Sequence, residues 1–88
     1  MILKRDHSFE RDYVRLPGQI QALVEKAVRL LAENPRHPSL RVKRMKGLKS
    51  IWEGRVTRAY RFTFSWEGDV ITFRRVGSHD ILKAEGRG

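Results

Sequence analysis

Residues 59–76, AYRFTFSWEGDVITFRRV, constrain the fold more than any other stretch of the chain. Tyr60, Phe62, Phe64 and Trp66 alternate with Arg61, Thr63 and Ser65, which is the period of an extended strand with one apolar face. Glu67-Gly68-Asp69 is a tight-turn signal, and VITFRRV reads as the returning strand. A hairpin of this kind carries an aromatic face that a second layer must shield from water. IWEGRVT reads as a strand preceding it. There, alternation places Trp52, Gly54 and Val56 on one face and Glu53, Arg55 and Thr57 on the other.

The first third of the chain supplies the covering layer. Asp6 or Ser8 can cap a first helix whose inner face is Phe9, Tyr13 and Leu16. Leu16-Pro17-Gly18 breaks it, and Pro17 or Gly18 opens a second helix. Ile20, Leu23, Val24, Ala27, Leu30 and Leu31 form its single apolar stripe. Asn34-Pro35 ends that helix, because the residue before proline avoids the helical region. The short break predicts an antiparallel helical hairpin. MILKR, ahead of both helices, reads as an edge strand. From Ser39 the period changes, with Leu40 and Val42 alternating with Arg41 and Lys43, and Lys46-Gly47-Leu48 reads as a loop. The predicted fold is therefore α+β: an N-terminal strand and a helical hairpin packed on one face of a small, mainly antiparallel sheet. At 88 residues this is one domain, placed at residues 1–83, with 84–88 as a short C-terminal tail.

Charge narrows the class of partner. The net charge is +9, and residues 36–61 hold nine Lys/Arg against Glu53 alone. So concentrated a positive field attracts polyanions, nucleic acid above all. With no cysteine, disulfides and thiolate metal sites are excluded. No apolar run reaches the length of a signal-peptide core or a membrane span, so a cytoplasmic location with no membrane partner is expected.

Arg55 and Arg61 are expected on the sheet face away from the helices, with the Lys46–Lys49 loop at its rim. His79, released from the last strand by Gly77, is expected to overhang the same surface. Two guanidiniums and an imidazole can serve metal-independent RNA cleavage. Arginine contacts two phosphate oxygens with one planar fork, and histidine transfers protons near neutral pH. A lone loop histidine is otherwise an exposed polar residue. As a zinc ligand His79 lacks companions, since His7 and His37 are distant in sequence. Asp80 either orients the imidazole or caps a final helical turn in DILKA. Trp52 and Trp66 either belong to the core or stack on bases.

HPSLRVKRMKG, IWEGRVTRAYRFTF, EGDVITFRRVG and the terminal His79-Asp80 together resemble the RelE/ParE superfamily of type II toxins, and LPGQIQALVEKAVRLLAENP is similar to that family's second helix. The similarity covers roughly residues 1–83 and lies in the order and spacing of the segments. The nearest branch is that of the RelE/YoeB-type mRNA interferases. The resemblance implies a cofactor-free, metal-independent, ribosome-associated endoribonuclease that inhibits translation, with mRNA, ribosomal RNA and a cognate antitoxin as partners. It implies catalytic roles for His79, Arg61 and Arg55, and RNA binding by Lys43, Arg44, Lys46, Lys49 and Arg58. Two features depart from the family pattern: Arg36-His37-Pro38-Ser39 lacks the carboxylate that acts there as general base, and no aromatic residue follows Phe73. Glu53 and His37 are the substitutes at hand. A ParE-like inhibitor of DNA gyrase, which needs no proton-transfer group, is the alternative, and a non-toxic scaffold paired with a regulatory antitoxin is a third.

Overall fold

A computed structural model describes residues 1–48 and 50–87, the side chains of residues 84, 86 and 87 excepted. Its elements are β1 (Ile2–Arg5), α1 (His7–Val14), α2 (Gly18–Glu33), a 3-10 turn (Pro38–Leu40), β2 (Lys43–Arg44), β3 (Ile51–Arg55), β4 (Tyr60–Glu67), β5 (Val70–Ser78) and α3 (Ile81–Arg87). The five strands form one sheet in the order β1-β5-β4-β3-β2. β1 pairs parallel to β5 at one edge, and every other pairing is antiparallel. The α+β architecture read from the sequence is the architecture observed.

The aromatic face of β4 explains why the layers assemble. Phe62 and Phe64 are sealed from solvent together with Ile71, Phe73 and Val76 of β5, Phe9 of α1, and Val24, Ala27 and Leu31 of α2. Phe9 lies 5.4 Å from Phe73, and Phe62 lies 5.9 Å from Phe73, ring centre to ring centre. Each such ring contributes on the order of 2 kcal/mol by leaving water. Asp6 holds the position before α1, where its carbonyl accepts from the Glu10 N–H. Asn34 takes extended backbone at the end of α2, as the following proline requires.

Close approach fixes one glycine. On β3, Gly54 lies across from Phe62, and a Cβ there would sit 2.3 Å from Cζ of that ring. The ring fills the place of the missing side chain, so the strand needs glycine.

Two expectations are corrected. The alternation of Leu40 to Lys43 does not build a strand of that length. Pro38–Leu40 is a 3-10 turn, Arg41 has φ 46° in the left-handed region, and β2 is two residues long. The face of the sheet away from α1 and α2 is also not bare. Gly77 pairs with Arg61 and therefore faces the same side, and Ile81 of α3 would lie 3.1 Å from a Cβ on Gly77. The last element, α3, ends at Arg87. Among the described residues no helix is long and apolar enough to cross a membrane.

Candidate functional site: a cationic cavity on the sheet face away from α1 and α2

β3 and β4 pair with Arg55 directly opposite Arg61. Like charges so placed repel, and nothing in strand pairing favours them. Both line a cavity of about 350 Å³ with Arg41, Lys43, Glu53 and His79. Each arrives by a different route. Arg55 and Arg61 come from facing strands, and Lys43 comes from β2, paired with Glu53. His79 stands in the turn after β5, and Arg41 closes the 3-10 turn. The sequence-level grouping of Arg55, Arg61 and His79 is thus present in space.

The local chain holds Arg61 in place. Its Nη1 donates to the carbonyl of Thr57 at 2.6 Å and to that of Arg58 at 2.7 Å, and both carbonyls belong to the β3–β4 connection. The Thr57 hydroxyl oxygen fixes that connection by accepting from the N–H groups of Ala59 and Tyr60, each at 3.2 Å. One nitrogen of the Arg61 fork is therefore committed to the protein, and the rest of the fork borders the cavity.

Arg55 is under electrostatic pressure. Burial lowers its pKa most, and the positive charges of Arg61, Arg41 and Arg58 lower it further. Its Nε is enclosed and has no hydrogen-bond acceptor among the described residues. The guanidinium stays charged at any physiological pH. The result is a cluster of cations whose mutual repulsion an entering anion relieves. Glu53, itself buried, meets this field with one ion pair, its Oε1 lying 3.2 Å from Nζ of Lys43.

Of the proposed RNA-binding residues, Lys43 lines the cavity, while Arg58 stands in the exposed β3–β4 connection close enough to act on Arg55. Arg44 does not belong to this group. It pairs with Trp52, on the other side of the sheet from Lys43, and its guanidinium lies 5.6 Å from a Trp52 ring centre. Lys46 sits in the exposed loop after β2, beside Met45 and Leu48. Lys49 lies outside the described residues. His37 is likewise away from the cavity, where its Nδ1 accepts from the Ser39 N–H at 3.3 Å and lies 2.8 Å from the Ser39 hydroxyl. Of the two residues named as substitutes for the missing carboxylate, Glu53 lines the cavity. Sequence reasoning missed Arg41 as a lining residue, since the alternating pattern presented it as an ordinary strand position. Asp80 precedes α3 and its carbonyl accepts from the Lys83 N–H.

The five-stranded sheet with its helices is a fold shared with solved toxin structures. Solved structures show the likeness directly. The YoeB/ParE toxin of Agrobacterium tumefaciens matches over 90% of this chain and 99% of its own, with TM-score 0.76 and 20% identity. The RelE–RelB toxin–antitoxin complex of Methanococcus jannaschii matches over 93% of this chain and 96% of its own, at TM-score 0.71 and 23% identity. YafQ of Escherichia coli matches over 91% and 94%, at TM-score 0.74 and 16% identity. No family model and no curated protein matches the sequence.

Proposed function

We propose that this chain is the toxin of a type II toxin–antitoxin pair and acts as a metal-independent endoribonuclease on ribosome-bound mRNA. The observation that carries the reading is the meeting of Arg55, Arg61, His79 and Glu53 around one cavity. Cleavage needs a base to take the proton of the 2′-hydroxyl, cations to hold the phosphorane, and an acid for the departing 5′-oxygen. Glu53 is the carboxylate for the first task and His79 the imidazole for the last. Arg55 and Arg61 face the charge that develops on phosphorus between them, where fixed donors act most strongly. The 2′-oxygen attacks phosphorus, the bond to the 5′-oxygen breaks, and the products are a cyclic phosphate and a 5′-hydroxyl.

The surrounding basic residues bind message and ribosomal RNA through phosphates, so affinity falls steeply with salt. An acidic antitoxin covers the same field, folds as it binds and silences the enzyme. The toxin–antitoxin complex of Methanococcus jannaschii supports a partner of that kind through its shared fold.

Inducible expression followed by primer extension on translated messages tests the reading, with and without the cognate antitoxin. New 5′ ends within codons are expected, and the antitoxin abolishes them. Intact messages together with arrested DNA supercoiling in a gyrase assay would replace the nuclease with the ParE-like alternative.

A further inference from the structure

A second groove opens on the other side of the sheet from the cationic cavity, at the β2 edge, and shares Arg41 with it. It is lined by Trp52 of β3, Trp66 of β4, Pro35, Pro38, Val42 and Arg41. The tryptophan ring centres are 5.4 Å apart with their planes inclined by 57°, so the two indoles are wedged together and not stacked face to face. Both are half-buried. Among the described residues no carboxylate lines this groove, whereas Arg36, His37 and Arg41 do.

Arg41 lines both the groove and the cationic cavity. Its φ of 46° is a conformation that suits glycine and that other residues rarely adopt. Closing the 3-10 turn at this position therefore gives no reason for an arginine. A guanidinium reaching both sites does.

We propose that this groove is a nucleobase subsite. It takes one base of a single-stranded RNA that passes around the β2 edge and places a phosphate in the cationic cavity, with Arg41 lining both. The inference rests on the nuclease reading and adds a specific contact to it. Aromatic side chains beside cationic ones are the combination by which proteins hold unpaired bases.

The chain contains two tryptophans, and both lie in this groove, so intrinsic fluorescence reports on it directly. The probe is a fluorescein-labelled 2′-O-methyl oligoribonucleotide, which lacks the attacking hydroxyl and stays intact. Its binding at low salt is followed by anisotropy, and the effect of the same oligonucleotide without the label is followed by tryptophan emission. An abasic oligonucleotide of equal length serves as comparison. The intact oligonucleotide is expected to bind and quench tryptophan, and the abasic one to bind about tenfold more weakly with little quenching. Arg41→Gly should weaken binding about tenfold without lowering the melting temperature, because glycine relaxes the turn. Trp66→Phe should retain binding where Trp66→Leu loses it, both checked for native melting. Binding that leaves tryptophan emission unchanged and ignores missing bases would confine RNA to the cationic cavity and overturn the subsite, while the primer-extension result stood. Failure of the oligonucleotide to bind, with quenching by an acidic antitoxin peptide instead, would overturn it equally and assign the groove to the protein partner.

Discussion

Asp12 in α1 holds Arg75 in β5 through two hydrogen bonds, from Nε at 2.7 Å and from Nη2 at 3.2 Å, across 63 residues of chain. The same carboxylate accepts the backbone N–H of Val76 at 3.0 Å. These contacts fall where the β4–β5 register slips, with Thr63 opposite Arg75 but Phe64 opposite Phe73. Asp12 thus fastens the helix to the sheet at an irregular point of pairing.

Asp12→Asn is expected to lower unfolding stability by about 2 kcal/mol in urea titrations, since it removes a charge-assisted pair that is only partly screened by water. The hydrogen bond from Arg75 to Asp12 raises the Arg75 pKa most; burial opposes this, and the charges of Asp12 and Glu85 add to the rise. A base with a raised folded-state pKa stabilises the fold at every pH below its unfolded value, so Arg75's share of the pair is fully present at neutrality. Equal stability of the wild type and the Asn variant would show that the pair contributes nothing net.

Gly54→Ala should be the most damaging single methyl addition in the sheet. The new Cβ would meet the Phe62 ring at 2.3 Å, a distance that forces the ring or the strand to move. The expected loss is about 2 kcal/mol or more, as overpacked cores commonly show. Adding Phe62→Leu to the alanine variant should cost less than it does in the wild type, because the smaller side chain removes the clash. Additive losses in the denaturant midpoints would contradict this placement.

Arg55→Met separates stability from function. Burial and the charges of Arg61, Arg41 and Arg58 all oppose the Arg55 charge. The depressed pKa means that folding works against protonation. Stability would therefore rise with pH only in the strongly alkaline range where arginine titrates, and the cost is constant near neutrality. Calorimetry at low ionic strength should give a higher melting temperature for the methionine variant, with the difference shrinking as salt screens the repulsion. Message cleavage should fall sharply in the same protein. A destabilised variant would mean that Arg55 is structurally required.

His79→Ala and Glu53→Gln test the proton-transfer pair. Each is expected to slow cleavage of ribosome-bound message by about 10²–10⁴-fold, the usual size of general acid–base contributions. His79 is exposed, so its removal should leave folding and co-sedimentation with ribosomes nearly unchanged. Full cleavage by the alanine variant would take the imidazole out of the mechanism. Glu53→Gln also unpairs Lys43, so its melting temperature must be followed alongside activity.

Local periodicity determined much of this protein. The alternation from Tyr60 to Trp66, the turn at Gly68 and the apolar stripe of α2 all act over a few residues, and each produced the element it predicted. That alternation also set which strand residues share a face, and so put Arg55 and Arg61 together on the side away from Phe62. Tertiary structure decided the rest. Alternation already set Glu53 on the face of the arginines, but where His37 stands depends on how the 3-10 turn packs at the sheet edge, which no local pattern encodes. Arg44 and Lys43 are adjacent in sequence yet lie on opposite faces, so a cluster of basic residues divides once the strand is paired. Arg41 looked like a strand residue because hydrophobic alternation records burial and says nothing about the sign of φ. The placement of α3 over Gly77 likewise required long-range packing, since a seven-residue helix carries too little pattern to indicate which face it will cover.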